Sequence, residues 1–126
     1  MKLSHVCFKT RNISECKKFY TAIFGARVIH KFFSKNGLLY GYLFRLPGGG
    51  ELEVFMDDDI QVSDEKHFCI QVENITSFFQ RNNSFNIVKD IFRGRTDNVL
   101  QAMIRDPDGN LIEIQQIDQL VSYSEL

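Results

Sequence analysis

A chain of 126 residues with 44% apolar and 25% charged residues is long enough for one packed domain and too rich in apolar residues for a disordered segment. A net charge of −1 excludes nucleic acid as the main partner, because gripping phosphates needs a clear basic excess. No apolar run approaches a membrane span, no signal peptide precedes the first strand, and three Cys without framework spacing suit reduced thiols; a cytoplasmic protein with no membrane partner is expected.

Residues 2–9 alternate as a strand, with Leu3, His5, Cys7 and Lys9 on one face and Val6 and Phe8 on the other. Asn12 reads as a helix N-cap with Glu15 at the capping-box position. The apolar stripe Ile13, Cys16, Phe19, Tyr20, Ile23, Phe24 predicts a helix to about Phe24, stopped by Gly25. Three strands follow, over 26–33, 38–46 and 51–56, the first two joined by an Asn36-Gly37 turn and the last two by the Pro47–Gly50 loop. Asp57-Asp58-Asp59 and the polar residues to Glu65 read as a solvated linker, since the calcium-loop pattern is absent. The second half predicts a strand over 67–72, a helix from Ile75 to about Asn82 capped by Asn74, and a strand over 85–92. A polar loop at 93–97, a strand over 98–105, a tight turn at 106–110 and a strand over 111–115 complete it.

The two halves repeat one another. His5, Cys7, Asn12, Ile13 and Ser14 correspond to His67, Cys69, Asn74, Ile75 and Thr76 at a constant offset of 62 residues, and Glu51-Leu52-Glu53-Val54 corresponds to Leu111-Ile112-Glu113-Ile114. Each half thus opens on a His-bearing strand and closes on a Glu-bearing one. The expected architecture is α+β: two pseudo-symmetric βαβββ modules, residues 1–57 and 66–116, joined by a linker at 58–65 and followed by a tail at 117–126. They form one structural domain with a cupped mixed sheet.

A carboxylate flanked by apolar residues in a strand is costly to bury unless it is paired or bound to metal. Glu53 and Glu113 are in that position, and His5 and His67 open strands at matching places. Two imidazoles and two carboxylates on one sheet face suit a divalent transition metal. His30 has no repeat partner and is assigned no role. Cys7 and Cys69 read as small buried residues.

Ser4-His5-Val6, Lys17-Lys18-Phe19-Tyr20 through Phe24-Gly25-Ala26, His67, and above all Asp106-Pro107-Asp108-Gly109-Asn110-Leu111-Ile112-Glu113 resemble the vicinal oxygen chelate superfamily. That superfamily includes glyoxalase I, bleomycin-resistance proteins, extradiol dioxygenases, fosfomycin-resistance enzymes and epimerases. The resemblance implies His5, Glu53, His67 and Glu113 as metal ligands, a set similar to that of bacterial glyoxalase I. Fosfomycin enzymes and dioxygenases generally lack a metal-binding carboxylate at the Glu53 position, and epimerases usually carry Gln there. The implied activity is isomerisation of a hemithioacetal of methylglyoxal and a thiol, with Glu113 as general base and Glu113 or Glu53 returning the proton. The implied cofactor is a divalent ion: nickel or zinc, with manganese, cobalt or iron in the same class. Glutathione-using relatives carry Arg at the position of Lys9 and Asn at that of Asp57. Lys9, Arg11, Arg93 and Arg95 are therefore the candidate contacts to a glutathione adduct or another thiol adduct. A homodimer is the implied assembly. Two alternatives stay open: a drug- or metabolite-binding protein, and another metal enzyme such as an epimerase or thiol transferase.

Overall fold

The computed structural model describes residues 1–83, 85–94 and 99–117. The chain divides into two compact units, Met1–Gln61 and Val62–Leu126. In the first, β1 (His5–Thr10), α1 (Ile13–Phe24), β2 (Arg27–Phe33), β3 (Leu39–Arg45) and β4 (Glu51–Met56) follow in order. The second repeats the order as β5 (Phe68–Gln71), α2 (Ile75–Arg81), β6 (Asn86–Arg93), β7 (Val99–Arg105) and β8 (Leu111–Ile117). This is the two-module α+β fold expected from the repeat. Each unit makes a four-stranded mixed sheet, ordered β1-β4-β3-β2 in one and β5-β8-β7-β6 in the other. The first and last strands of each module pair in parallel, so the His strand lies beside the Glu strand. Among the described residues no helix is long and apolar enough to cross a membrane.

Both helices begin where a side chain replaces the missing helical partner. Asn12 accepts from the Glu15 amide at 3.0 Å, and Asn74 accepts from the Ser77 amide at 2.9 Å. The Asn12 amide donates to Thr10 Oγ1 at 3.2 Å, the role a capping box would give to Glu15. In α2 the Ile75 amide donates to Gln116 Oε1 at 2.8 Å, tying the helix start to β8. Gly25 ends α1 at φ 65°, and the amides of Gly25 and Ala26 reach back to the carbonyls of Thr21 and Tyr20.

The core of the first unit is aromatic. Tyr20 is fully buried, and its ring lies 5.3 Å from Phe8, 5.0 Å from Phe19 and 5.9 Å from Phe44. The second unit is mostly aliphatic, with Ile75, Ala102, Ile104, Ile112 and Ile114 buried beside Phe78. In both units the alternation of the strands leaves the His and Glu side chains on the face opposite this core.

Gly41 in β3 pairs with Phe55 in β4, and the Phe55 ring lies where a side chain at position 41 would go. An added Cβ would sit 2.6 Å from Phe55 Cδ1 and 2.7 Å from the Val54 carbonyl oxygen. Phe55 in turn stacks on Tyr40 at 5.8 Å and packs on Phe32 at 5.2 Å. Because one of the clashes is with backbone, Gly41→Ala is expected to cost about 1–3 kcal/mol, the range of an overpacked site. Urea denaturation checks this; an unchanged midpoint would mean that β3 and β4 shift apart without cost.

Candidate functional site

In the first unit the parallel pairing of β1 and β4 sets Cys7 opposite Glu53, and His5 Nε2 lies 3.7 Å from Glu53 Oε1. In the second, β5 and β8 set Cys69 opposite Glu113, and His67 Nε2 lies 3.1 Å from Glu113 Oε1. Each predicted His therefore meets its predicted Glu within its own module. Within either unit, the described residues gather no group of three or more His, Cys, Asp or Glu able to hold a metal ion. Each unit holds one His–Glu pair.

The tautomer of His67 follows from its neighbours. Its Nδ1 lies 2.6 Å from the Glu65 carbonyl oxygen, which can only accept, so Nδ1 carries a proton. In the neutral ring Nε2 then presents a lone pair to a carboxylate oxygen that also only accepts. A second proton or a metal cation has to lie between them. His5 Nδ1 has Ser4 Oγ at 3.1 Å, and a hydroxyl fits either tautomer. Two atoms bound to one ion at about 2.1 Å lie no farther apart than about 4.2 Å. Both pairs, at 3.7 Å and 3.1 Å, satisfy that bound. Within each unit the two donors are of a type, and lie within a spacing, that one divalent ion allows.

The two cysteines on this face correct the expectation that they are buried. Cys7 and Cys69 are exposed, and Cys16 is the buried one. They share a face with His5 and His67 because strand residues two apart point the same way. Cys69 Sγ donates to Glu113 Oε2 at 3.3 Å. Desolvation on its protein-facing side, and then the adjacent Glu113 charge, push this thiol up to about 12, although it still touches solvent. Cys7 is raised likewise, by desolvation first and Glu53 second. A thiol held in its protonated form is a donor to the neighbouring carboxylate rather than a nucleophile.

Glu113 has one more partner, which the sequence reading missed. Gln101 in β7 donates from Nε2 to Glu113 Oε2 at 3.1 Å. A Gln between Leu100 and Ala102, in an otherwise apolar strand, was the available signal.

The candidate substrate contacts divide. Lys9 and Asp57 form an ion pair at 2.7 Å. Their hydrogen bond raises the Lys9 pKa and lowers that of Asp57. The small stabilisation of the pair is fully present between the ordinary Asp and Lys values; it is lost as pH falls from the ordinary Asp value through the lowered Asp57 value, or rises from the ordinary Lys value through the raised Lys9 value. Arg11 Nη2 donates to the Ile60 carbonyl at 3.4 Å. Arg93 ends β6, away from both His–Glu pairs in sequence, and Arg95 lies outside the described residues. The exposed ring of His30 packs edge-on against Phe32 at 4.7 Å.

The family model described as the glyoxalase/bleomycin resistance protein/dioxygenase superfamily matches residues 2–114. The chain belongs to this superfamily. No curated protein matches it. Among solved members of the glyoxalase/bleomycin resistance/dioxygenase fold, it is similar to the genomically encoded fosfomycin resistance protein FosX from Listeria monocytogenes, at 18% identity and a TM-score of 0.79. That match covers 98% of this chain and 96% of that one. The structure of a FosX mutant, complexed with Mn(II) and 1S,2S-dihydroxypropylphosphonic acid, matches at 20% identity and a TM-score of 0.72, covering 90% of each chain. A putative glyoxalase family protein from Bacillus anthracis matches at 20% identity and a TM-score of 0.74, covering 93% of this chain and 95% of that one.

Proposed function

We propose that the protein is a metal-dependent lyase of the glyoxalase I type, which isomerises the hemithioacetal of a 2-oxoaldehyde such as methylglyoxal to a 2-hydroxyacyl thioester. His5, Glu53, His67 and Glu113 are its metal ligands, and a homodimer is its working assembly. The observation that carries this reading is the His–Glu pairing in both modules, at 3.7 Å and 3.1 Å. A second carboxylate facing a His in the first module is what the glyoxalase I resemblance calls for, and what fosfomycin enzymes generally lack. When bound, a divalent ion supplies Lewis acidity to the two adjacent substrate oxygens. One of the two carboxylates takes the C1 proton of the hemithioacetal, giving an enediolate, and a carboxylate returns a proton to C2. No atom is gained or lost, as an isomerisation requires. His5 and His67 hold still while this happens, and the hydrogen bond to the Glu65 carbonyl keeps the His67 ring oriented.

Lys9 and Asp57 argue about the thiol. Since each neutralises the other, this edge offers little net charge to a glutathione carboxylate. We therefore take a thiol with fewer carboxylates as the natural partner. A second reading, fosfomycin resistance, is favoured by the likeness to FosX and by the Mn(II) in one of its structures.

The test is elemental analysis of the purified protein, followed by turnover of methylglyoxal hemithioacetals formed with glutathione and with an uncharged thiol. Fosfomycin consumption is measured in parallel, with nickel, zinc or manganese supplied. The expected result is about one divalent ion per chain and thioester formation that is faster with the uncharged thiol. Metal uptake with fosfomycin turnover alone would favour the second reading. Ligand binding without metal or turnover would leave a binding protein.

A further inference from the structure

The two carboxylates occupy equivalent places in the repeat but have different surroundings. Glu53 pairs across the sheet with Leu43 and Glu113 with Met103, so corresponding positions in the last two strands of each module are 60 residues apart. By the same registers Gly41 (opposite Phe55) corresponds to Gln101 (opposite Gln115). The first module has no side chain at this place, and the Phe55 ring fills the space. The second module has an amide that reaches Glu113.

We propose that Gln101 is a positioning residue that pins Oε2 of Glu113, making Glu113 the stationary carboxylate of the centre and Glu53 the one left to move. The inference rests on the metal reading above. A carboxylate only accepts, so the nitrogen of the Gln101 amide must face it. Oε2 receives this amide and the Cys69 thiol, while Oε1 is turned to His67 Nε2. Two donors thus hold Oε2 of Glu113, and swinging the carboxylate away would break both hydrogen bonds. Glu53 has His5 at 3.7 Å and Cys7 beside it, and no side-chain amide among the described residues.

A second residue keeps the amide in place. Gly94, just after β6, approaches Gln101 so closely that an added Cβ would lie 2.8 Å from both Cδ and Oε1 of its side chain. The glycine leaves room for the amide to lie flat against the chain. Its own amide bonds to the Val99 carbonyl at 2.8 Å, which fixes that approach. Gly94→Ala therefore disturbs the Gln101 side chain without altering it chemically.

Gln101→Met keeps the length and removes the donor. Groups that orient a ligand are typically worth about 10–100-fold in metal affinity. The experiment titrates Mn(II) into metal-free wild type, Gln101→Met and Gly94→Ala, each checked for folding by circular dichroism, and records the Mn(II) electron paramagnetic resonance spectrum at saturation. The expected result is a Kd raised about tenfold or more in Gln101→Met, with an altered spectrum, and a spectral change of the same kind in Gly94→Ala. Folded variants with wild-type Kd and wild-type spectrum would overturn the positioning role while leaving the metal centre standing. Wild type that takes up no Mn(II), nickel or zinc would overturn the metal reading and this inference with it.

Discussion

Glu113→Gln and Glu53→Gln are expected to fail in different ways. In Glu113→Gln the anion beside His67 disappears, and the new amide nitrogen either faces the Gln101 and Cys69 donors or donates to the His67 Nε2 lone pair that a metal ion would need. Metal affinity should fall by about 100-fold or more, because one of the four proposed ligands loses its charge and His67 Nε2 is engaged by the new amide. Turnover should vanish with the metal. In Glu53→Gln the amide can still lie against Cys7, and the ordered second-module pair is untouched. Metal affinity should fall less, but turnover at saturating metal should drop by about 100- to 10,000-fold, the range for loss of a general base. Metal titration together with kcat at saturating metal reads both outcomes. Full metal in Glu113→Gln, or wild-type kcat in metal-loaded Glu53→Gln, would dissolve the distinction between the two carboxylates. The resemblance alone gave the proton to Glu113; the amide and the thiol that hold its Oε2 are the reason to look first at Glu53.

What the sequence disclosed and what it withheld follow one physical line. The elements and their order were legible because hydrophobic periodicity, two Asn caps and Gly25 are local signals. The pairing of a His strand with a Glu strand in each module was legible because the chain repeats itself. Cys7 and Cys69 were misread by residue type, although strand alternation already put them on the face of His5 and His67. Contacts that depend on cross-strand register were out of reach. Gln101 meets Glu113 only because β7 and β8 pair with Met103 opposite Glu113. Lys9 meets Asp57 only because β1 and β4 run parallel and end together, at Thr10 and Met56. A polar residue amid apolar ones marks Gln101 as unusual, but no local pattern names the partner in either contact. The second of them weakens the case for glutathione at the two positions where family members that use it differ from this chain.

The register of β7 on β8 is in turn set by a turn, and Asp106→Ala is expected to give the largest stability loss among single changes outside the hydrophobic core. Asp106 is 5% exposed. Its Oδ1 accepts from the amides of Asp108 and Asn110, both at 2.9 Å, and its Oδ2 accepts from Asn110 Nδ2 at 2.9 Å. Its amide donates to the Asn110 carbonyl and its carbonyl accepts from the Gly109 amide, both at 3.0 Å. Gly109, at φ 87°, supplies the left-handed step that closes the turn. Arg105 adds a bond to the Gly109 carbonyl at 2.8 Å and reaches Ser63 and Asp64, so the segment leading into β5 is fastened to the same turn. Removing the carboxylate strands two backbone amides and an Asn side chain in a part-buried place. Hydrogen bonds to a charged group are worth about 1.5–3 kcal/mol, and water recovers part of the loss, so a net cost of about 3 kcal/mol is expected. Asp106→Asn keeps one acceptor oxygen and should cost about half as much. Thermal and urea unfolding of both variants measure this. Because the turn holds Met103 opposite Glu113 and Gln101 one pleat further, Asp106→Ala should also weaken the proposed metal binding without touching a proposed ligand. A variant that loses neither stability nor metal affinity would show that the strands find their register without the turn.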